Sequence, residues 1–143
     1  MNFLTQERGR WGYAEFFQTL LELEDGRAVL WHCTDGKDRT GCAAMLTLYA
    51  LGADRQTVLD DFLLTNDFNA KVVEAAMRQF AGHPMPEEKL EVLKVMVGGV
   101  SEGYMTHAID VLEQTYGSVE GYLRDELGVS ARELSLLRRK FLV

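Results

Sequence analysis

The chain has 143 residues, 47% hydrophobic and 26% charged, which is the composition of one soluble globular domain rather than of a disordered or collagen-like chain. No apolar run reaches the roughly 18 residues of a membrane span, so no stable membrane insertion is expected. Asp and Glu outnumber Lys and Arg by 22 to 15, a formal charge of −7; this argues against a nucleic-acid partner but leaves room for a small anionic substrate in a locally positive pocket.

The opening Met1-Asn2-Phe3-Leu4-Thr5 has no basic segment followed by an apolar one, so no export signal is expected. Tyr13 to Glu24 reads as a helix with Phe16, Phe17, Leu20 and Leu21 on one stripe, stopped by Asp25-Gly26. Ala28-Val29-Leu30-Trp31-His32 is a short apolar run and reads as a buried strand of parallel type. Cys42 to Leu51 is apolar nearly all round, hence a buried helix, ended by Gly52. Asp54 is placed to cap a helix carrying Val58, Leu59, Phe62 and Leu63, and a separate helix is expected over Ala70 to Phe80. Gly82-His83-Pro84 breaks it, and Pro86 opens a further helix toward Gly98-Gly99. Ser101, Ser118 and Ser130 stand as N-caps, with Glu133 completing a capping box; Gly117 and Gly128 close the two preceding helices.

A lone strand cannot satisfy its own backbone. Either a second strand hides in Met1 to Gln6 or Val95 to Val100, or a further part of the protein supplies one, or a homodimer completes the sheet. Of the two cysteines, Cys42 reads as a packing residue of the buried helix. Two are too few for a disulfide scaffold, and the chain reads as a reduced, cytoplasmic protein. His83 and His107 read as surface or packing residues, no Cys/His spacing suggests a metal, and Arg138-Arg139-Lys140 reads as a solvated helix end.

The segment His32-Cys33-Thr34-Asp35-Gly36-Lys37-Asp38-Arg39-Thr40-Gly41 lies between the expected strand and the buried helix. Five residues separate Cys33 from Arg39, enough for a loop to curl until its amides converge at a helix N-terminus, a ready anion site. Gly36 permits the backbone angles of such a curl, and the planar fork of Arg39 matches phosphate oxygens. In that field a thiol pKa falls, which makes Cys33 a nucleophile at neutral pH. Thr40 can donate to the thiolate, and His32 can order the loop. A phosphate nest alone gains nothing from the carboxylates of Asp35 and Asp38, so one of them is expected to act as general acid and base, Asp38 ahead of Asp35. Lys37 either offsets their charge or reaches a second anionic group.

These residues resemble the His-Cys-Thr-Ala-Gly-Lys-Asp-Arg-Thr-Gly signature of the bacterial and fungal tyrosine-phosphatase-like family. Asp35 stands where that family usually has Ala, a feature similar to the loop of myotubularin-type phosphatases. Asp60-Asp61-Phe62-Leu63-Leu64-Thr65-Asn66 and Tyr116-Gly117-Ser118-Val119-Glu120-Gly121-Tyr122-Leu123 extend the resemblance along the chain. It implies a helix-dominated α/β domain over 1–143, with a reduced or incomplete parallel sheet, about seven helices and a helical insertion at 67–100 able to lid the pocket. It also implies a cofactor-independent phosphomonoester hydrolase acting on phosphorylated proteins or phosphoinositides. Cys33 would be the nucleophile, and Thr34, Asp35, Gly36, Lys37, Asp38 and Arg39 would form the phosphate loop. The competing reading is a phosphate-binding unit of little activity, completed by a partner.

Overall fold

The computed structural model describes residues 3–142. Seven helices follow one another: α1 (Glu7–Glu22), α2 (Asp38–Leu51), α3 (Arg55–Arg78), α4 (Glu87–Val97), α5 (Glu102–Tyr116), α6 (Val119–Asp125) and α7 (Ala131–Phe141). Helix α2 lies at the centre, packed against α3, α6 and α7. Its Cys42, Ala43, Met45, Leu46 and Ala50 are buried, as its all-round apolar pattern requires. Phe17, Ile109, Leu112, Tyr122 and Leu137 join them in one core.

No strand is present among the described residues, which corrects the expected sheet. Residues 28–32 form no backbone–backbone hydrogen bond there. Val29 and Trp31 lean on the core while Leu30 is 92% exposed. The alternation is that of a strand, but the described residues hold no neighbouring strand for it to pair with. Val95 to Val100 is not a strand either, since α4 runs to Val97. Of Met1 to Gln6, residues 1 and 2 lie outside the described residues, and 3–6 form a turn.

Two expected helices fuse into α3. No Gly or Pro interrupts Thr65-Asn66-Asp67-Phe68-Asn69, and the asparagines that look like loop residues have tertiary partners instead. Asn66 exchanges two hydrogen bonds with the Val100 backbone, at 2.8 and 3.1 Å, and Asn69 donates to the Gly98 carbonyl at 2.9 Å. Helix α1 starts earlier than expected, at Glu7. Gly9 lets the chain fold back there, because a Cβ at that position would lie 1.7 Å from the Phe3 carbonyl oxygen.

Asp54, Ser118 and Ser130 cap α3, α6 and α7 through their side chains, with the Ser130–Glu133 box complete. Ser101 makes no such bond. The basic end of α7 is not merely solvated. Lys140 donates to the Leu20, Leu21 and Leu23 carbonyls at the end of α1, and Arg138 donates to the Ala50 carbonyl at the end of α2, 2.9 Å away. Cations at these two C-termini satisfy orphan carbonyls and oppose the helix dipoles.

The turn at residues 3–6 is tied to the core by the Tyr122 hydroxyl, which donates to the Leu4 carbonyl at 2.7 Å in a buried setting. Tyr122→Phe leaves that carbonyl unpaired and is expected to cost about 1–3 kcal/mol. The expected result is a lower urea midpoint at unchanged slope; an unmoved midpoint contradicts the anchoring role.

Candidate active site

Residues 33–37 curl ahead of α2, and Asp38, Arg39 and Thr40 form its first turn. Gly36, at φ +68°, supplies the left-handed step of the curl. The N-cap position falls to Lys37, which makes no side-chain cap bond, so the first amides of α2 stay open toward the loop.

The sulfur of Cys33 lies at the focus of this curl. Partial burial pushes its thiol up, but hydrogen bonds from the Thr40 hydroxyl and from the amides of Thr40, Asp35 and Gly36 outweigh that, and the pKa falls to about 6. The Thr40 hydroxyl is buried, and it is the largest of the influences that lower the Cys33 thiol. Cys42, one helical stretch further on, has the opposite fate: burial in the core pushes its thiol up to about 11.

Arg39 is exposed. Its guanidinium donates to the Thr34 hydroxyl at 3.0 Å and stacks 5.6 Å from the centre of the Phe3 ring. Cys33 and Arg39 open into one cleft of about 640 Å³ between the loop and the first half of α1. Phe3, Phe16 and Trp31 line it, with Arg8 on α1 as a second cation. Trp31 and Phe16 meet edge to face at 5.2 Å, and the Trp31 indole donates to the Thr40 carbonyl at 3.4 Å. Both therefore serve as cleft wall as well as packing. The His32 ring nitrogen Nδ1 lies 2.9 Å from the Cys33 carbonyl, an ordering contact within the loop.

The two loop carboxylates differ. Asp35 is exposed and carries no ion pair among the described residues. Asp38 pairs with the Lys37 ammonium at 3.1 Å. Lys37 itself is buried and points away from the Cys33 cleft into a smaller cavity behind the loop, of about 300 Å³, lined also by Asp61 and Phe62.

Three participants are not legible in the sequence as site residues. Tyr13 donates to the Arg39 carbonyl at 3.3 Å, and its burial pushes the phenol up, so it stays a neutral donor. Phe3 and Arg8 reach the cleft because the Gly9 contact folds the start of the chain over α1. The apolar stripe that includes Phe17 and Leu20 extends back to Tyr13, which is the one signal that placed it inward. None of residues 67–100 lines the cleft; that segment meets the loop from behind, where the Val95 carbonyl accepts from Lys37 at 3.2 Å.

Comparison with known proteins agrees with this geometry. The family described as the tyrosine phosphatase family matches residues 1–143. The triple specificity protein phosphatase PtpB of Mycobacterium tuberculosis is 37% identical over 123 residues, 81% of this chain and 44% of that protein. A relative from Cupriavidus necator is 35% identical over 128 residues, 89% of this chain and 44% of that protein. A tyrosine-protein phosphatase of Nostoc commune is 30% identical over 129 residues, 88% of this chain and 42% of that protein. The chain thus spans less than half the length of the curated relatives it matches. With the family match running along its whole length, this chain belongs to the tyrosine phosphatase family.

Proposed function

We propose that this domain hydrolyses phosphomonoesters through a phosphocysteine intermediate. The observation that carries this reading is that Cys33, its thiol lowered by the Thr40 hydroxyl and by loop amides, opens into one cleft with the exposed guanidinium of Arg39. The Cys33 thiolate attacks phosphorus and the P–O ester bond breaks opposite it. The equatorial oxygens are held by loop amides and by Arg39, which turns from Thr34 to the phosphoryl group. The leaving oxygen takes a proton from Asp38, which enters the step as the carboxylic acid, released from its pair with Lys37. Water then attacks the phosphocysteine, Asp38 takes its proton, the S–P bond breaks and phosphate departs. Thr40 donates to the departing thiolate. No step calls for a metal or cofactor.

Aromatic walls at Phe3, Phe16 and Trp31 favour an aryl phosphate such as phosphotyrosine. A phosphoinositide is the second substrate class, with Arg8 available to a further anionic group. A thiol of this acidity is readily oxidised, which suits the reducing cytoplasm.

One observation favours a second reading, a phosphate-binding unit completed by another chain or another copy. Among the described residues, the extended segment 28–32, immediately before the loop, makes no backbone–backbone hydrogen bond. Steady-state hydrolysis of p-nitrophenyl phosphate by the purified chain, with its mass in solution, separates the two. Turnover by the monomer supports the hydrolase; bound phosphate without turnover, or turnover only in a dimer, supports the second reading.

Cys33→Ser is expected to lower turnover by more than about 10⁴-fold while vanadate still binds, and Arg39→Lys to lower kcat by about 10²–10³-fold. Persistent turnover in Cys33→Ser refutes the mechanism. The thiol itself gives a pH test. Alkylation of Cys33 by iodoacetamide is expected to rise with pH and reach half its plateau near pH 6, with buried Cys42 silent. Thr40→Val removes a donor to the charged form, so the thiol pKa rises and the alkylation curve and the acidic limb of kcat/KM move together to higher pH. A curve that stays in place, or moves down, contradicts the assignment of Thr40.

A further inference from the structure

We propose that Arg8 and Gly12 of α1 form a subsite in the Cys33 cleft that takes an acidic residue flanking the phosphotyrosine of a peptide substrate; this deepens the hydrolase reading above and rests on it. Both residues line the cleft into which Cys33 and Arg39 open, and both are exposed. Arg8, Gly12 and Phe16 follow one another at four-residue spacing along α1, so they stand about 6 Å apart in a row on one face of the helix. At about 640 Å³ the cleft has the volume of a site for a drug-sized ligand, about 300–1,000 Å³, and a single phosphoaryl group leaves much of it unfilled. The row on α1 is where the rest of a substrate has room to lie.

Gly12 is a residue that the helix itself does not call for, since glycine weakens a helix interior relative to alanine. Gly9, three residues earlier, is required, because a Cβ there would strike the Phe3 carbonyl. At Gly12 a Cβ would meet nothing within 4 Å among the described residues, and its φ is not positive. Neither packing nor backbone conformation accounts for it. What the missing side chain provides is bare helix backbone on the wall of the cleft, where a peptide chain can pass close.

Arg8 supplies the charge. Arg10 on the same helix is paired with Glu126 at 2.6 Å, and Arg55 is paired with Asp110 and Glu113. Arg8 makes no ion pair or hydrogen bond among the described residues, in a chain where 22 acids face 15 bases. Its guanidinium is a free planar fork, matched to one carboxylate through two parallel hydrogen bonds. A second phosphate dianion on an inositol ring calls for more than this one exposed cation, and the walls at Phe16 and Trp31 already favour an aryl group.

Hydrolysis of two phosphotyrosyl peptides of equal length tests this, one with glutamate and the other with alanine on both sides of the phosphotyrosine. The glutamate peptide is expected to be favoured by about fivefold in kcat/KM, mostly through KM, with the preference shrinking as salt is added. Arg8→Gln brings the ratio close to one, Arg8→Glu reverses it and Arg8→Lys keeps part of it. Gly12→Leu, which puts a good helix former into open space, is expected to raise Tm. It is also expected to raise KM for both peptides by about fivefold, and by much less for p-nitrophenyl phosphate, which has no flanking chain. A ratio near one in the unmodified chain, a ratio that Arg8→Gln leaves in place, or an unmoved peptide KM in Gly12→Leu overturns the subsite. A Tm lowered by Gly12→Leu gives the glycine a packing role and overturns it too, as does loss of inositol-phosphate turnover in Arg8→Gln with the peptide ratio intact. Calorimetric Kd values for the two peptides on Cys33→Ser make the same comparison without turnover. A preference there supports the subsite even if the hydrolase reading fails, and equal Kd values overturn it even if that reading stands.

Discussion

The structure is organised around the loop and the first turn of α2, where the amides of Asp35, Gly36 and Thr40 are directed at a sulfur atom. Helices α3, α6 and α7 satisfy their own first turns with Asp54, Ser118 and Ser130, a contribution of about 1 kcal/mol each. Helix α2 forgoes that, and the amide of Thr40 in its first turn faces Cys33 together with those of Asp35 and Gly36 in the loop. Stability is recovered along the rest of the helix, which buries five residues and ends in a left-handed Gly52 whose amide bonds back to the last turn. The two thiols, one in the loop before α2 and one inside the helix, then separate by environment alone. Donors around Cys33 hold the charged form, and desolvation around Cys42 holds the neutral one.

A reactive sulfur needs walls that keep their distance, and these come from the opposite end of the molecule. The cleft lies between α1 and α2, and both helices are gripped at their C-termini by α7, through Lys140 on α1 and Arg138 on α2. Near the open end, Tyr13 of α1 donates to the Arg39 carbonyl and Tyr122 anchors the turn that carries Phe3. The width of the site is thus set by two charged clamps far from it and two tyrosine bonds close to it.

The loop was legible because its chemistry is local: Cys33, Gly36, Arg39 and Thr40 act within one turn of chain, and spacing alone brings their groups together. The capped starts of α3, α6 and α7 were legible for the same reason. What failed depended on distant partners. Asn66 and Asn69 read as a break in α3 because their partners, Val100 and Gly98, lie about thirty residues on. Val29-Leu30-Trp31 has the alternation of a strand, but pairing is a property of two segments, and the described residues hold only one. Lys140 read as solvated because nothing in its neighbourhood in sequence announces the carbonyls of Leu20 and Leu23. Lys37 read as a loop cation for want of Val95.

Charge arithmetic in the loop shows why placement matters more than totals. Residues 33–39 hold two acids, Asp35 and Asp38, and two bases, Lys37 and Arg39, so the segment is neutral before the thiol ionises, in a chain of net charge −7. Long-range attraction would therefore do little for the dianion of the proposed reaction, and ionic screening weakens it further. Direction does the selecting. Lys37 turns inward and neutralises Asp38 from behind, while Arg39 and the amides face the cleft. Since oriented dipoles in a partly dry site act more strongly than the same charges in water, an acidic protein with a balanced loop can still present a positive face to one bound anion. The same arrangement makes Lys37 and Asp38 a single unit: removing either leaves the other as an unpaired charge at the start of the helix on which the site is built.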